Sequence, residues 1–159
     1  MSDLSIYQAK REKLRQMYLE TSGTRSGTGN VALTGGVDHL AMISSDIERT
    51  IEFYTNVLGM RVANIIQNRD EPSSTHIFLD MGGGNLMAFF DFPQHGDAPA
   101  VRGIGAMHHV ALKAEPTQYK ALFGRLREQD IDFSLEGTEE SGSVYMRDLD
   151  NALIEVTCR

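Results

Sequence analysis

A repeated segment constrains the fold of this chain more than any other feature of its sequence. The run GVDHLAM at residues 36–42 returns as AMHHVAL at residues 106–112, and the two copies align His39 with His109. Self-similarity of this kind indicates a structural unit that is used more than once. The sequence therefore predicts two similar modules.

A helix-forming pattern follows each copy of the repeat. In the first, Ser45 and Glu48 match a capping box, so Ser45 is the predicted N-cap and Gly59 the predicted end. In the second, Pro116 suits the first turn of a helix. The apolar side chains at helical spacing are Ile47, Ile51, Tyr54 and Leu58 in the first segment, and Tyr119, Leu122, Phe123 and Leu126 in the second. Each module therefore contains one amphipathic helix.

Three short strand-like runs come after each helix. They are MRVANIIQ, THIFLDM and NLMAFFDF in the first module and IDFSLE, SVYMRDL and ALIEVTC in the second. With the repeated segment as a first strand, each module has the order βαβββ, and the fold class is α+β. Module one is expected at 36–92, the Pro- and Gly-rich connection at 93–103, and module two at 104–159.

The N-terminal part of the chain differs from these modules. Residues 3–20 have a narrow apolar stripe at helical spacing, which predicts an extra helix that packs on the domain or on a second subunit. The following TSGTRSGTGN at 21–30 has the composition of a flexible linker. The expected division is therefore residues 1–35 as helix and linker, and 36–159 as the main domain.

Charge and composition exclude several kinds of partner. The formal net charge of −7 disfavours a nucleic-acid partner, because such binding needs clustered Lys and Arg. No run approaches the roughly 18 apolar residues of a membrane span, and no targeting pattern is evident. The single cysteine, Cys158, fits a reducing compartment. We therefore expect a cytoplasmic protein with a small-molecule substrate.

The two adjacent histidines of MHHVAL should point in opposite directions, because side chains alternate along a strand. The apolar neighbours of His108 assign it to the face packed on the helix, which leaves His109 on the uncovered face with its equivalent His39. On the last strand of module two, Glu155 interrupts an apolar run, which is costly unless the carboxylate is paired or bound to a cation. His95, in the connection, is expected in solvent.

Two imidazoles and one carboxylate at equivalent positions of duplicated modules are a ligand set that suits a divalent metal with open coordination positions. Alone, each of these residues could equally be a hydrogen-bonded wall residue or an exposed one. Their common placement favours a metal site.

The longer pattern around these residues resembles a known superfamily. GVDHLAMISSDIERTIEFYTNVLGMRV, the later HHVAL and the closing YMRDLDNALIEV are similar to the vicinal oxygen chelate superfamily, which includes glyoxalases, extradiol dioxygenases, fosfomycin-resistance enzymes and bleomycin-binding proteins. The resemblance implies two βαβββ modules whose mixed sheet curls around a metal held by His39, His109 and Glu155. It is compatible with a cleft built within one chain or across two.

A fourth position separates the branches of this superfamily. The alignment of NLMAFF with ALIEVT sets Ala88 against Glu155, and alanine cannot ligate a metal. Glyoxalases and related epimerases use a Glu or Gln there, so the resemblance favours dioxygenase-like or fosfomycin-type members. It also implies that Tyr145 donates a hydrogen bond to a metal-bound substrate oxygen, and His76 is the spare strand histidine for an acid-base role.

The expected protein is a homodimer that acts, in dioxygenase-like fashion, on a catechol-type small molecule chelated to Fe(II), with Mn(II), Ni(II) and Zn(II) as alternative metals. Its pocket is predicted to be apolar, which favours an aromatic substrate. The candidate pocket residues are Phe78, Ala88, Phe90, Met146 and Leu153. Two alternatives stay open: a glyoxalase-type lyase or isomerase, and a metal-free protein that sequesters a small molecule.

Overall fold

The computed structural model describes residues 3–18, 34–92, 94–96 and 98–159. The chain divides into two units, Met1–Gly36 and Val37–Arg159. The first contains helix α1, Asp3–Tyr18, on which Tyr7, Leu14 and Met17 are exposed. The predicted N-terminal helix is therefore present, whereas the predicted linker at 21–30 lies outside the described residues.

The second unit consists of two βαβββ modules, which confirms the predicted α+β fold class. The first contains β1 (His39–Ile43), α2 (Ile47–Asn56), β2 (Arg61–Gln67), β3 (Thr75–Gly82) and β4 (Asn85–Phe90). The second contains β5 (Val110–Lys113), α3 (Pro116–Glu128), β6 (Phe133–Gly137), β7 (Gly142–Arg147) and β8 (Leu153–Cys158). Within the described segments, no helix is long and apolar enough to cross a membrane.

Each module forms its own four-stranded mixed sheet with the same topology. The strand orders are β1-β4-β3-β2 and β5-β8-β7-β6. In each sheet the first strand runs parallel to the last one, and the remaining pairs are antiparallel. Over the described part of the chain the two sheets are not joined into one closed sheet. The duplication seen in the sequence is thus a duplication of topology.

Alternation along the strands gives each sheet one face in the hydrophobic core. The fully or nearly fully buried strand residues are Ile77, Leu79, Met87 and Phe89 in module one and Val144, Met146, Ile154 and Val156 in module two. Helix residues complete the core, among them Tyr54, Tyr119, Phe123 and Leu126. Since successive side chains point to opposite faces, the residues between these core positions lie on the other face of each sheet.

Helix α2 begins one residue later than the sequence predicts. Asp46, not Ser45, is the N-cap: its backbone is extended, with φ of −151°, and its Oδ1 accepts the N–H of Arg49. The backbone N–H of Ser45 instead donates to Asp150 Oδ2 at 3.1 Å. Both Ser and Asp are favoured caps, so propensity alone does not separate these neighbours.

A turn before β8 ties the two modules together. The Tyr54 hydroxyl of α2 donates to Asp148 Oδ2 at 2.8 Å, and Asp148 Oδ1 accepts the N–H groups of Asp150 and Ala152. Burial raises the pKa of Asp148 above its ordinary value, although these hydrogen bonds act in the opposite direction. The connection is anchored at the same turn, because the Ala100 N–H donates to the Asp150 carbonyl.

Candidate metal centre

Two of the three predicted metal ligands meet in module two. His109, just before β5, has its Nε2 atom 3.0 Å from Oε2 of Glu155 on β8. Glu155 is only 6% exposed, and its second oxygen, Oε1, accepts a hydrogen bond of 2.7 Å from the Ser143 hydroxyl. A carboxylate with so little solvent needs partners of this kind. Nitrogen and oxygen atoms in this arrangement are suitable ligands for a divalent metal.

Tyr145 adjoins this pair. It lies directly opposite Glu155 in the β7–β8 ladder, and its ring centroid is 6.3 Å from that of His109. Desolvation, followed by the carboxylates of Glu136 and Glu155, raises the pKa of the Tyr145 phenol. The phenol therefore keeps its proton at neutral pH and can act as a hydrogen-bond donor. His109 and Tyr145 both line a cavity of about 790 Å³.

The third predicted ligand, His39, starts strand β1 of module one. Its Nδ1 atom lies 2.7 Å from Asp38 Oδ2, and its ring meets Phe78 edge-on at 6.0 Å between centroids. The side chain is 42% exposed. His39 therefore stands at an accessible edge of its sheet.

His76 lies on the same sheet face as His39, as the strand registers show. It pairs with Phe90 across β3 and β4, where the two rings stack at 3.8 Å, and it also contacts Phe78 at 4.1 Å between centroids. Its Nε2 atom is buried and has no hydrogen-bond partner among the residues that the structure describes. Desolvation, and then the charge of His39, lower the pKa of His76, so the ring is neutral at neutral pH.

The three predicted ligands do not converge within one chain. In the described ranges, no group of three or more His, Cys, Asp or Glu side chains could hold a metal ion. His109 and Glu155 form one half-site, on the module-two sheet, and His39 forms the other, on the module-one sheet. Imidazole nitrogens and a carboxylate oxygen are suitable ligands for a divalent metal. In a single chain, however, they lie in two separate half-sites.

The strand registers establish that Ala88 stands where Glu155 stands in the other module. Ala41 pairs with Ala88 between β1 and β4, just as Ala111 pairs with Glu155 between β5 and β8. Ala88 is 0% exposed. Module one therefore offers no carboxylate at this position, in agreement with the alignment of the two repeats.

The predicted pocket residues are divided between the sheet faces. Phe78 and Phe90 share a face with His76, and Leu153 lines both the cavity beside His109 and a larger one of about 920 Å³. Met146 is also among the residues that line the cavity beside His109, but it is only 2% exposed and belongs to the hydrophobic core. Because Met146 follows Tyr145 directly in β7, its side chain points to the opposite face.

The expectation that His108 packs against the helix was wrong. His108 is exposed, and its Nδ1 atom lies 2.6 Å from Nδ1 of His109. Strand β5 begins only at Val110, so strict alternation does not extend to the two histidines. His95 is exposed, as expected, with its ring against Phe92.

Sequence reasoning also missed the residues that contact the candidate ligands. Asp38 and His108 each directly precede a predicted ligand, and that adjacency was the available signal. Ser143 is twelve residues from Glu155 in the sequence, and only the pairing of β7 with β8 brings the two side chains together.

Comparison with known proteins agrees with this architecture. A family model described as the Glyoxalase/Bleomycin resistance protein/Dioxygenase superfamily matches residues 36–156. MhqA of Bacillus subtilis strain 168, whose name gives ring-cleaving dioxygenase as a provisional activity, is 27% identical over 86 residues. The match covers 52% of this chain and 27% of MhqA, so this chain spans well under two thirds of that curated relative.

Solved structures share the fold at low sequence identity. A protein of Bacillus subtilis subsp. subtilis strain 168, described as a provisional dioxygenase, has a TM-score of 0.69 at 22% identity, over 81% of this chain and 42% of that chain. A mutant of the fosfomycin resistance protein FosX from Listeria monocytogenes, complexed with Mn(II) and 1S,2S-dihydroxypropylphosphonic acid, has a TM-score of 0.61 at 19% identity, over 79% and 93% of the two chains. With two βαβββ modules and a family model that spans nearly all of both, this chain belongs to the glyoxalase/bleomycin resistance protein/dioxygenase superfamily.

Proposed function

We propose that the protein is a divalent-metal-dependent enzyme of dioxygenase type, which acts on an aromatic small molecule with two adjacent oxygen atoms, such as a catechol. The pairing of His109 Nε2 with the buried Glu155 Oε2 carries this proposal. The absence of a carboxylate at Ala88 adds to it, because a third ligand from His39 leaves coordination positions open for a chelating substrate.

Fe(II) is the proposed metal, since two histidines and one carboxylate suit non-haem iron oxygenases, and the same set also accepts Mn(II), Ni(II) or Zn(II). A bound metal of this kind supplies Lewis-acid and redox chemistry to the chelating substrate. The residues His39, His109 and Glu155 would hold it.

A second copy of the chain would complete the ligand set. His39 does not meet His109 and Glu155 within the described part of one chain, so we propose a cytoplasmic homodimer in which His39 of one protomer joins His109 and Glu155 of the partner subunit. The sheet face that carries His39 also exposes Ile43 and Ile66, each 43% accessible. Apolar side chains exposed beside a half-site favour burial against another subunit.

The remaining residues have roles that follow from their surroundings. The protonated Tyr145 phenol would donate a hydrogen bond to a substrate oxygen. The neutral His76, with Nε2 unpaired among the described residues, would accept or return a proton there. Phe78 and Phe90 would contact an aromatic ring.

The two alternatives have less support. A glyoxalase-type lyase or isomerase would lack a base at Ala88, which is buried and carries no ionisable group. A metal-free sequestering protein has no use for a buried glutamate held beside a histidine. A fold shared with FosX at 19% identity does not choose between these activities.

Oxygen uptake tests the proposal. Protein loaded with Fe(II) without oxygen is mixed with catechol, and oxygen consumption is followed with an electrode. We expect consumption with catechol, none with its O,O-dimethyl ether, and none from Glu155→Ala. Glu140→Ala, an exposed carboxylate in the β6–β7 hairpin, is the matched control and should behave as the unsubstituted protein. Consumption by Glu155→Ala equal to that of the control would refute the proposal.

A further inference from the structure

Each of the three candidate ligands has a side-chain partner on the atom that would not face a metal. These partners are Asp38 for His39, His108 for His109, and Ser143 for Glu155. We propose that Asp38, His108 and Ser143 are positioning residues, which fix the tautomer or rotamer of each ligand so that one atom of each is left for the metal. This inference rests on the proposed metal site.

For His39, the contact is between Nδ1 and Asp38 Oδ2 at 2.7 Å. A carboxylate can only accept, so the hydrogen lies on Nδ1 of a neutral ring. The lone pair is then on Nε2. Asp38 therefore selects the tautomer that can ligate through Nε2 and restrains the ring about its side-chain torsions.

For His109, the tautomer depends on whether a metal is bound, because without one Nε2–H would donate to the Glu155 carboxylate. Nε2 faces Glu155 Oε2 at 3.0 Å, and Nδ1 faces Nδ1 of His108 at 2.6 Å. If Nε2 is to ligate a metal, the hydrogen of His109 lies on Nδ1 and is donated to His108. His108 must then accept through Nδ1 and carry its own hydrogen on Nε2, because two lone pairs cannot face each other at this distance. With a metal bound, His108 is thus the hydrogen-bond acceptor for the ligand that follows it.

For Glu155, the partner lies across the sheet. The Ser143 hydroxyl donates to Oε1 at 2.7 Å, and the Thr157 hydroxyl is 3.1 Å from the same Ser143 oxygen. The same Thr157 hydroxyl is 3.3 Å from the Gly142 carbonyl, and its one hydrogen can be donated either there or to Ser143. The Ser143 hydrogen bond engages Oε1 and leaves Oε2 at the His109 side. The carboxylate therefore presents one oxygen in a fixed direction.

All three ligands have a side-chain partner on the atom that would face away from the metal. If these partners only stabilised the fold, no such common arrangement would be needed. Asp38 and His108 contribute nothing to the core, since both are exposed, and within the described part of the chain their side chains hydrogen-bond to the ligands. Partners of this kind raise metal affinity by orienting the ligand before the metal arrives. Loss of one typically weakens metal binding by about 10- to 100-fold.

The test uses paired substitutions in the full-length protein. Asp38→Ala, His108→Leu and Ser143→Ala remove each partner, whereas Asp38→Asn, His108→Gln and Ser143→Thr retain an oxygen that can make the same hydrogen bond. The dissociation constant for Mn(II) is measured by chelator competition, and the absorption spectrum of the Co(II)-loaded protein reports the geometry of the ligands. His95→Leu, on an exposed histidine outside both half-sites, is the control.

We expect Mn(II) affinity to fall about 10- to 100-fold in each removing variant, with a changed Co(II) spectrum, and to be largely restored in its conservative counterpart. Unchanged affinity and spectra in the removing variants, with tight binding by the unsubstituted protein, would overturn the inference and leave the proposed site standing. No Mn(II) or Co(II) binding by the unsubstituted protein would instead overturn the proposed function, and the inference with it. Thermal unfolding of each variant establishes that it is folded.

Discussion

Glu155 Oε2 lies 3.0 Å from His109 Nε2, and His39 stands on a different sheet of the same chain. Because of this separation, we propose that the three metal ligands come from two subunits. In the proposed homodimer His39 comes from another copy, and this arrangement can be tested by mixing variants.

Complementation between His39→Ala and Glu155→Ala distinguishes a shared site from one within a single chain. Each variant alone should be inactive. After random mixing, half of the dimers are heterodimers, and each heterodimer has one intact site out of two. Activity should therefore recover to about a quarter of that of the unsubstituted protein. A mixture of separately inactive variants that stays inactive after verified subunit exchange would contradict the shared site.

Tyr145→Phe should slow turnover without loss of the metal. The phenol hydrogen bond to substrate would be removed, while the ring beside His109 is kept. One hydrogen bond to a charged oxygen contributes about 1.5–3 kcal/mol, which corresponds to a fall of roughly 10- to 100-fold in kcat. The measurements are steady-state kinetics and metal content per chain. Unchanged kcat would remove Tyr145 from the site.

His76→Phe separates a catalytic role from a packing role. The buried Nε2 of His76 has no partner among the described residues, so replacement by an apolar ring should leave the free energy of unfolding unchanged or raise it by up to about 1 kcal/mol. The stack on Phe90 is compatible with a phenyl ring. Activity should fall nonetheless. A variant that is destabilised and fully active would show that His76 is a wall residue.

The burial of Asp148, which accepts a hydrogen bond from Tyr54, gives a prediction about pH and stability. Burial raises the pKa of Asp148 above 3.8 in the folded protein. Between its ordinary pKa and the raised one, the folded protein holds more protons, so the Asp148 contribution is fully present below about pH 4 and is lost as pH rises through the folded pKa. Relative to Asp148→Asn, the unsubstituted protein should therefore lose unfolding free energy over that range.

Denaturant unfolding at a series of pH values measures this difference, and the variant corrects for every other titrating group. Carboxylates with lowered pKa, such as Asp70 beside Arg69, act in the opposite direction and cancel in the comparison. A difference that is constant from pH 3 upward, or that grows in favour of the unsubstituted protein as pH rises, would contradict the burial effect.

The two modules could be predicted from the sequence because helices and strands are specified by short-range patterns of apolar residues, and the repeat shows that the same pattern occurs twice. Alternation along β1 and β8 placed His39 and Glu155 opposite the core, and the alignment placed Ala88 against Glu155, as the registers confirm. The alternation rule gave the wrong orientation for His108, because this residue precedes strand β5, to which the rule applies. Whether the modules of one chain bring the three ligands together could not be predicted, since that depends on how the modules pack and not on any local pattern.

The central claim is that His109 and Glu155 bind a divalent metal, and the metal content of the protein tests it most directly. The protein and its Glu155→Ala variant are purified without oxygen or chelators, incubated with Fe(II), freed of excess metal and analysed by mass spectrometry of the elements. We expect about one Fe per unsubstituted chain and a loss of nearly all of it in the variant. Iron that is absent from the unsubstituted protein, or retained equally by Glu155→Ala, would contradict the claim.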